Sequence, residues 1–240
     1  MINRRIQTWD ETRQLSETLP DPPISLKIKY NEYISSPSYR SSKMYFYDDD
    51  AIDVSFLFHD ALILNLADDL YPGGCVDVGN GAQEESIFRR TNYHKTLIDS
   101  FYPIVHGEAI YSPRVALFKQ SESKQWQLMD DIQYINLIAC PALKYPKLIY
   151  SKLRSVDVDC LKEKIRTIIQ TAVHFKHKAI IFGAMGCGAW QNPSAQVAEI
   201  FVDVLKEFDG HIPYYVFAIL STTQSEPKTI DVFINAFNSV

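Results

Sequence analysis

Gln83, Glu84 and Glu85 stand together at the head of an amphipathic segment, directly after a loop that carries Gly73, Gly74, Gly79 and Gly81. Glycine lets the backbone turn its N–H groups toward an anion without side-chain obstruction, and a helix N-terminus adds positive dipole to the same place. Such a loop can hold phosphate. Two adjacent carboxylates beside bound phosphate cannot both ionise freely, and burial adds to the cost. One proton should then stay on the pair to higher pH than an isolated glutamate allows, as a general acid at neutral pH requires. Gln-Glu-Glu alone fits an exposed helix start that satisfies its own N–H groups; the preceding glycines favour the site.

A second glycine loop has the same setting. The wholly apolar run Ala179–Phe182, the pattern of a strand buried on both faces, leads into Gly183, Ala184, Met185, Gly186, Cys187, Gly188, Ala189 and Trp190. Seven of the nine glycines lie in these two strand-to-helix loops. In an open α/β sheet the loops at the carboxyl ends of strands form the ligand crevice, so two of them can grip a diphosphate from both sides. Neither loop is followed by Gly-Lys-Ser/Thr and neither reads G-x-G-x-x-G, which removes the main support for kinase and dehydrogenase readings.

The elements that must position these loops follow from periodicity. Asn3–Leu19 predicts a helix, stopped by Leu19-Pro20-Asp21-Pro22-Pro23. Ile24–Asp50, rich in Tyr and Ser, is compatible with short strands, an extended arm or a substrate-facing cover, and is taken as an ordinary packed extension. Ile52–Phe58 and Ala61–Leu66 predict strands, Gln83–Ser100 one broken helix, and Ala109–Lys119 and Tyr134–Ala142 further extended segments around a turn at Gln120–Asp131. Cys160–His174 carries apolar residues at helical spacing. Asn192 has the character of an N-cap with Pro193 at the first helical position, the helix ending at Gly210; Tyr214–Leu220 predicts a buried strand and Pro227–Phe237 a last helix.

At 240 residues and 46% hydrophobic, the chain can bury a sizeable core and is expected to form one α/β domain over 1–240, residues 1–50 being a helix and a Tyr/Ser-rich extension. A net charge of −5 leaves no polybasic face, which argues against general nucleic-acid binding. Cys75, Cys140, Cys160 and Cys187 are widely spaced, so no zinc site is expected. With no signal-like start and no run of about 20 apolar residues, we expect a soluble monomer in the cytoplasm, without membrane contact.

Gly73-Gly74-Cys75, seven residues and then Gln83-Glu84-Glu85 resembles the signature of the poly(ADP-ribose) glycohydrolases, a branch of the macrodomains: three glycines, a short spacer and Gln-Glu-Glu. Asn65-Leu66-Ala67 before Pro72-Gly73-Gly74, Arg89-Arg90, Tyr111-Ser112-Pro113 leading to Phe118, and the Gly183–Pro193 loop resemble segments of the shorter, bacterial-type members. The resemblance covers roughly Ala61 to Phe208 and leaves the first 50 residues unexplained. It implies a macrodomain-like three-layer α/β/α sandwich with a mixed, largely parallel central sheet. It further implies hydrolysis of ribose–ribose bonds, with poly(ADP-ribose) or ADP-ribosylated protein as substrate, ADP-ribose as product, and no metal or cofactor. Glu85 would protonate the leaving ribose oxygen while Glu84 holds a ribose hydroxyl and a water attacks the anomeric carbon. A non-catalytic ADP-ribose-binding module is the rival reading, and a hydrolase of another ADP-ribosyl linkage a second.

Other residues carry expectations of their own. Asn65 is either a turn former or an organiser of the ribose pocket. Asp68 stands where the family commonly has Asn at the distal ribose, and as an ionised Asp it can only accept hydrogen bonds; a solvated loop Asp is the alternative. Cys75 replaces the third glycine and is strained if the position needs a positive φ. Cys75 and Cys187 are expected to be small buried residues, with no histidine tied to either. Trp190 stands where the family tends to carry an aromatic that covers the distal ribose, and stacking on a sugar suits its face; Arg89 and Arg90 are expected to tie their helix to the body, and His94 to lie on the surface.

Overall fold

A computed structural model of the chain describes residues 1–31, 36–221 and 227–239. Seven strands form one sheet: β1 (Leu26–Lys29), β2 (Lys43–Tyr47), β3 (Ala61–Asn65), β4 (Glu108–Lys119), β5 (Leu128–Ala139), β6 (Ala179–Phe182) and β7 (Tyr214–Ala218), in the order β1-β4-β5-β3-β6-β7-β2. β5, β3, β6, β7 and β2 run parallel, while β4 is antiparallel to both β5 and β1. The helices are α1 (Ile2–Ser16), α2 (Ala51–Ser55), α3 (Gln83–Arg90), α4 (Ser155–His174), α5 (Ser194–Glu207) and α6 (Thr229–Asn238).

β3 up to its last residue, β6 and β7 are made of apolar and aromatic residues because both their faces are covered. Leu62, Leu64, Ile180, Phe182, Tyr215 and Phe217 pack on one side with α4, α5 and α6. Their neighbours Ile63, Ile181 and Val216 point to the other side, where Trp9, Ile52, Val54, Ile87 and Phe88 from α1, α2 and α3 meet them. The result is the three-layer α/β/α sandwich with a mixed, largely parallel sheet. Because β5, β3 and β6 are adjacent and parallel, the segments that leave their carboxyl ends emerge side by side at one edge of the sheet.

Several local expectations need correction. Ile52–Phe58 is not a strand. Asp50 caps a short helix there, accepting from the N–H groups of Ile52 at 3.0 Å and Asp53 at 3.1 Å, and this capped turn overrides the alternation of Ile52, Val54 and Phe56. The helix beginning at Gln83 stops at Arg90, because Thr91 turns extended to bridge Leu117 and Asn92 exchanges hydrogen bonds with Ala116; only two 3₁₀ turns follow, at Tyr93–Lys95 and Asp99–Phe101. Asn192 does not cap α5. Its amide turns inward to the carbonyls of Leu143 and Gly186, and Pro193 occupies the cap position.

Ile24–Asp50 supplies β1 and β2, which lie at opposite edges of the sheet; part of its Tyr/Ser-rich middle, at 32–35, lies outside the described residues. His94 is half-buried rather than on the surface, edge-on to Trp9 at 5.1 Å.

α1 docks through its polar stripe as much as through Trp9, its one buried large apolar residue. Trp9 is buried and its Nε1–H donates to Asp77 at 2.7 Å; Thr12 donates to the carbonyl of Arg89 at 2.6 Å; Lys119 donates to the carbonyl of Thr8 at 3.1 Å. Trp9→Phe keeps an aromatic ring in place but removes the N–H, and should lower stability by about 1–2 kcal/mol, read as a shift of the urea midpoint without a change in slope.

Candidate active site at the carboxyl ends of β3 and β6

The site is built outward from the end of β3. Gln83, the first residue of α3, uses its side-chain amide as a peptide group would: Nε2–H donates to the carbonyl of Leu64 at 2.7 Å and Oε1 accepts from the N–H of Leu66 at 2.8 Å. This clip fixes the head of the helix against the strand. The next two side chains then turn to the glycine loop. Glu84 Oε1 accepts from Asn65 Nδ2 and from the N–H of Gly73, each at 3.2 Å, and Oε2 accepts from the N–H of Asp68 at 2.7 Å. Glu85 Oε1 accepts from the N–H of Cys75 at 3.1 Å, while its Oε2 is buried with no hydrogen-bond partner. Glu84 is 3% exposed and Glu85 6%, so an exposed helix start is not what this sequence makes.

Close approach explains the two glycines. Gly73 has φ +82°, and a Cβ there would lie 2.6 Å from the ring of Phe88. Gly74 has φ +55°, and its Cβ would stand 3.0 Å from Glu85 Oε1 and 3.1 Å from Glu84 Oε2. Both carboxylates thus border the same point. Cys75 does not share this constraint: its φ is −106°, the strain that a left-handed position would impose is absent, and its side chain is exposed rather than buried. The backbone N–H that Glu85 needs survives the loss of the third glycine.

Asn65 sits fully buried at the end of β3, where its side-chain amide donates to Glu84. Asp68 is neither free nor simply solvated. Oδ1 accepts from the N–H groups of Leu70 and Tyr71, closing a turn, and Oδ2 meets Lys144 Nζ at 2.8 Å.

The second loop is anchored separately. Gly183 packs where a Cβ would be 3.1 Å from Leu66 Cδ1, which brings it against the start of the first loop. Gly186 has φ +75° and lies over Asn192 and Ala142. Cys187 is half-buried, its Sγ 3.7 Å from the carbonyl of Met185, and burial pushes its thiol up to about 12. Gly188 and Ala189 are exposed, and Trp190 is half-buried beside Lys144. The structure therefore joins Asn65, Asp68, Gly73, Gly74, Cys75, Gln83, Glu84 and Glu85 by direct contacts. The second loop meets that group through Leu66 and Lys144.

Sequence reasoning passed over three neighbours. The hydroxyls of Tyr93 and Tyr102 are buried near Glu84, and burial raises the pKa of both. Lys144 spans the loops. Nothing at the sequence level singles out these residues, since none of them belongs to a glycine loop or to the Gln83-Glu84-Glu85 run. Tyr111, by contrast, stacks on Phe175 and reaches His177, well inside the α4 side of the sheet. Arg90 pairs with Asp50 and Asp53, and Arg89 donates to the carbonyls of Asn80 and Arg5, so both tie α3 to the body. A separate cavity of about 630 Å³, lined by Arg4, Glu11, Lys119 and Trp126, contains no glycine-loop residue and is not this site. Among the described residues no group of three or more His, Cys, Asp or Glu is placed to hold a metal ion.

The electrostatics single out one glutamate. Burial drives the Glu84 carboxyl up to about 8, and the neighbouring Glu85 pushes the same way, against the hydrogen bonds from Asp68, Asn65 and Gly73. Because the folded-state pKa is raised, the native protein binds the extra proton and the stability tied to it is present below the ordinary glutamate range and lost as pH rises through 8. Glu84→Gln removes this proton linkage. The stability of the wild type relative to that variant should fall steadily between about pH 5 and 8, measured by chemical denaturation at a series of pH values.

Comparison with known proteins adds a family. Residues 48–120 match the family model for the microbial-type PARG catalytic domain, a span that includes β3, the first glycine loop, the glutamates and β4 but not the second loop. No curated protein sequence matches the chain. Among solved structures, poly(ADP-ribose) glycohydrolase from Thermomonospora curvata superposes with a TM-score of 0.80 at 20% identity, covering 97% of this chain and 99% of that one. The same protein bound to the inhibitor ADP-HPD gives 0.80 over the same coverage. Poly(ADP-ribose) glycohydrolase from Deinococcus radiodurans in complex with ADP-ribose matches with a TM-score of 0.71 at 23% identity, covering 85% and 86% of the two chains. Residues 48–120 thus carry the microbial-type PARG catalytic-domain pattern, set in a chain that has the fold of the bacterial poly(ADP-ribose) glycohydrolases.

Proposed function

We propose that the protein hydrolyses the ribose–ribose O-glycosidic bonds of poly(ADP-ribose) and releases ADP-ribose. The observation that carries this reading is the buried pair Glu84–Glu85, held on the backbone N–H groups of Asp68, Gly73 and Cys75 with Glu85 Oε2 unpartnered. The match of the same segment to the PARG catalytic domain supports it, and so does the likeness to structures solved with ADP-ribose and with ADP-HPD.

In this reading the loops after β3 and β6 hold the diphosphate of an ADP-ribose unit through backbone N–H groups, with Trp190 against the distal ribose. Glu85, through its unpartnered Oε2, gives a proton to the leaving ribose oxygen as the C–O bond breaks. Glu84 and Asn65 orient a ribose hydroxyl. A water molecule attacks the anomeric carbon from the diphosphate side, and its proton returns to the ionised carboxylate.

Two measurements test this. Poly(ADP-ribosyl)ated protein incubated with the wild type should release ADP-ribose, separated chromatographically, and Glu85→Gln should slow release by about 10²–10⁴-fold while still binding ADP-ribose. Binding without release by the wild type itself would point to a reader module or to another ADP-ribosyl linkage. ADP-ribose should raise the melting temperature and adenosine should do little, since only a ligand bound by the folded state stabilises it; equal shifts would count against a diphosphate site.

A further inference from the structure

The connection from β5 to α4 runs between the two glycine loops. Ala142 lies beneath Gly186, whose Cβ would come within 2.8 Å of it. The carbonyl of Leu143 accepts from Asn192 Nδ2 at 2.7 Å, which ties the segment to the second loop. Lys144 reaches the other way. Its ammonium lies 2.8 Å from Asp68 Oδ2, contacts Asp69, and stands 5.4 Å from the centre of the Trp190 ring. One cation therefore serves two carboxylates of the first loop and an aromatic face of the second. Partial burial works against the ammonium, yet the hydrogen bonds to Asp68 and Asp69 raise its pKa, so it stays charged.

The charge count at this place is unusual for an anion site. The chain carries a net charge of −5, and Asp68 and Asp69 sit in the very loop whose backbone would receive phosphate. The N–H groups of Leu70 and Tyr71 fix the Asp68 carboxylate, and the backbone of Asp69 is held through its carbonyl by the N–H of Ile104 at 2.8 Å. Like charges beside the loop that would receive a diphosphate repel it, most strongly at low ionic strength, where screening is weak.

We propose that Lys144 is a specificity-determining residue: by neutralising Asp68 and Asp69 at the junction of the two loops, it allows a doubly charged diphosphate to enter past carboxylates that repel it when unpaired. The proposal rests on the ADP-ribosyl reading of the site. It treats the lysine as acting through the aspartates rather than as a ligand for phosphate.

The test is ADP-ribose binding by titration calorimetry, at low (about 20 mM) and high (about 300 mM) ionic strength. Lys144→Met, with Lys144→Gln as a polar counterpart, should weaken binding about tenfold at low salt and by less at high salt. The triple variant Lys144→Met, Asp68→Asn, Asp69→Asn, which lacks the cation and both anions, should bind at least as tightly as the wild type. Melting temperatures without ligand report that each variant is folded. If the triple variant stays as weak as Lys144→Met, the lysine touches the ligand itself and the proposal fails. Unchanged or tighter binding by Lys144→Met overturns it as well. A wild type that binds no ADP-ribose would instead bring down the reading of the site, and this proposal with it.

Discussion

The site depends on backbone N–H groups that have no place in the sheet or the helices and are accepted by two carboxylates. Asp68, Gly73 and Cys75 each point an N–H at Glu84 or Glu85. A buried donor left unpaired is costly, and so is a buried carboxylate. Here each answers the other's need, and the loop's own turns, with a 3₁₀ turn at Val76–Val78, complete its order. The arrangement also explains the raised Glu84 carboxyl: hydrogen bonds from three N–H donors do not offset near-complete burial beside a second acid.

Everything around this contact holds the helix head and the loop at fixed separation. Gln83 clips α3 to β3. Arg89 ties α3 to the loop carbonyl of Asn80, and Trp9 takes Asp77 from the outside. Gly81 admits the Arg5 guanidinium, which a Cβ would meet at 2.2 Å, and Arg5 pairs in turn with Glu122 at 3.0 Å. The amino-terminal helix, which the family resemblance left without a role, is therefore the outer wall of the loop between the glycines and the glutamates.

Much of this was legible in the sequence where burial on both faces or backbone geometry dictates residue type. β6 and β7 are apolar because each is sandwiched, and Gly73 and Gly74 are glycines because a ring and two carboxylates occupy the space of a side chain. The Gln83-Glu84-Glu85 run was readable for the same reason. What escaped depends on partners distant in sequence. Asp50 caps α2 and simultaneously receives Arg90, so the segment after it, whose alternation reads as a strand, begins as a helix. Asn192 has the residue type of a cap yet serves a carbonyl of the β5–α4 connection. β1 and β2 are edge strands, half exposed, and edges lack the continuous apolar pattern of the centre. Lys144 has no local signal at all, since its meaning lies in Asp68 and Asp69.

The two loops differ in how much freedom their tips retain. In the first, a methyl group at Gly73 or Gly74 collides with a ring or with the glutamates. In the second, nothing lies within 4 Å of the space a Cβ would fill at Gly188, and neither Gly188 nor Ala189 is covered. The molecule thus separates a part that cannot change without dismantling the acid pair from a part that can accept new side chains at little structural cost. Substitutions can therefore gather at residues 188 and 189 while the buried acid pair and the first loop stay as they are.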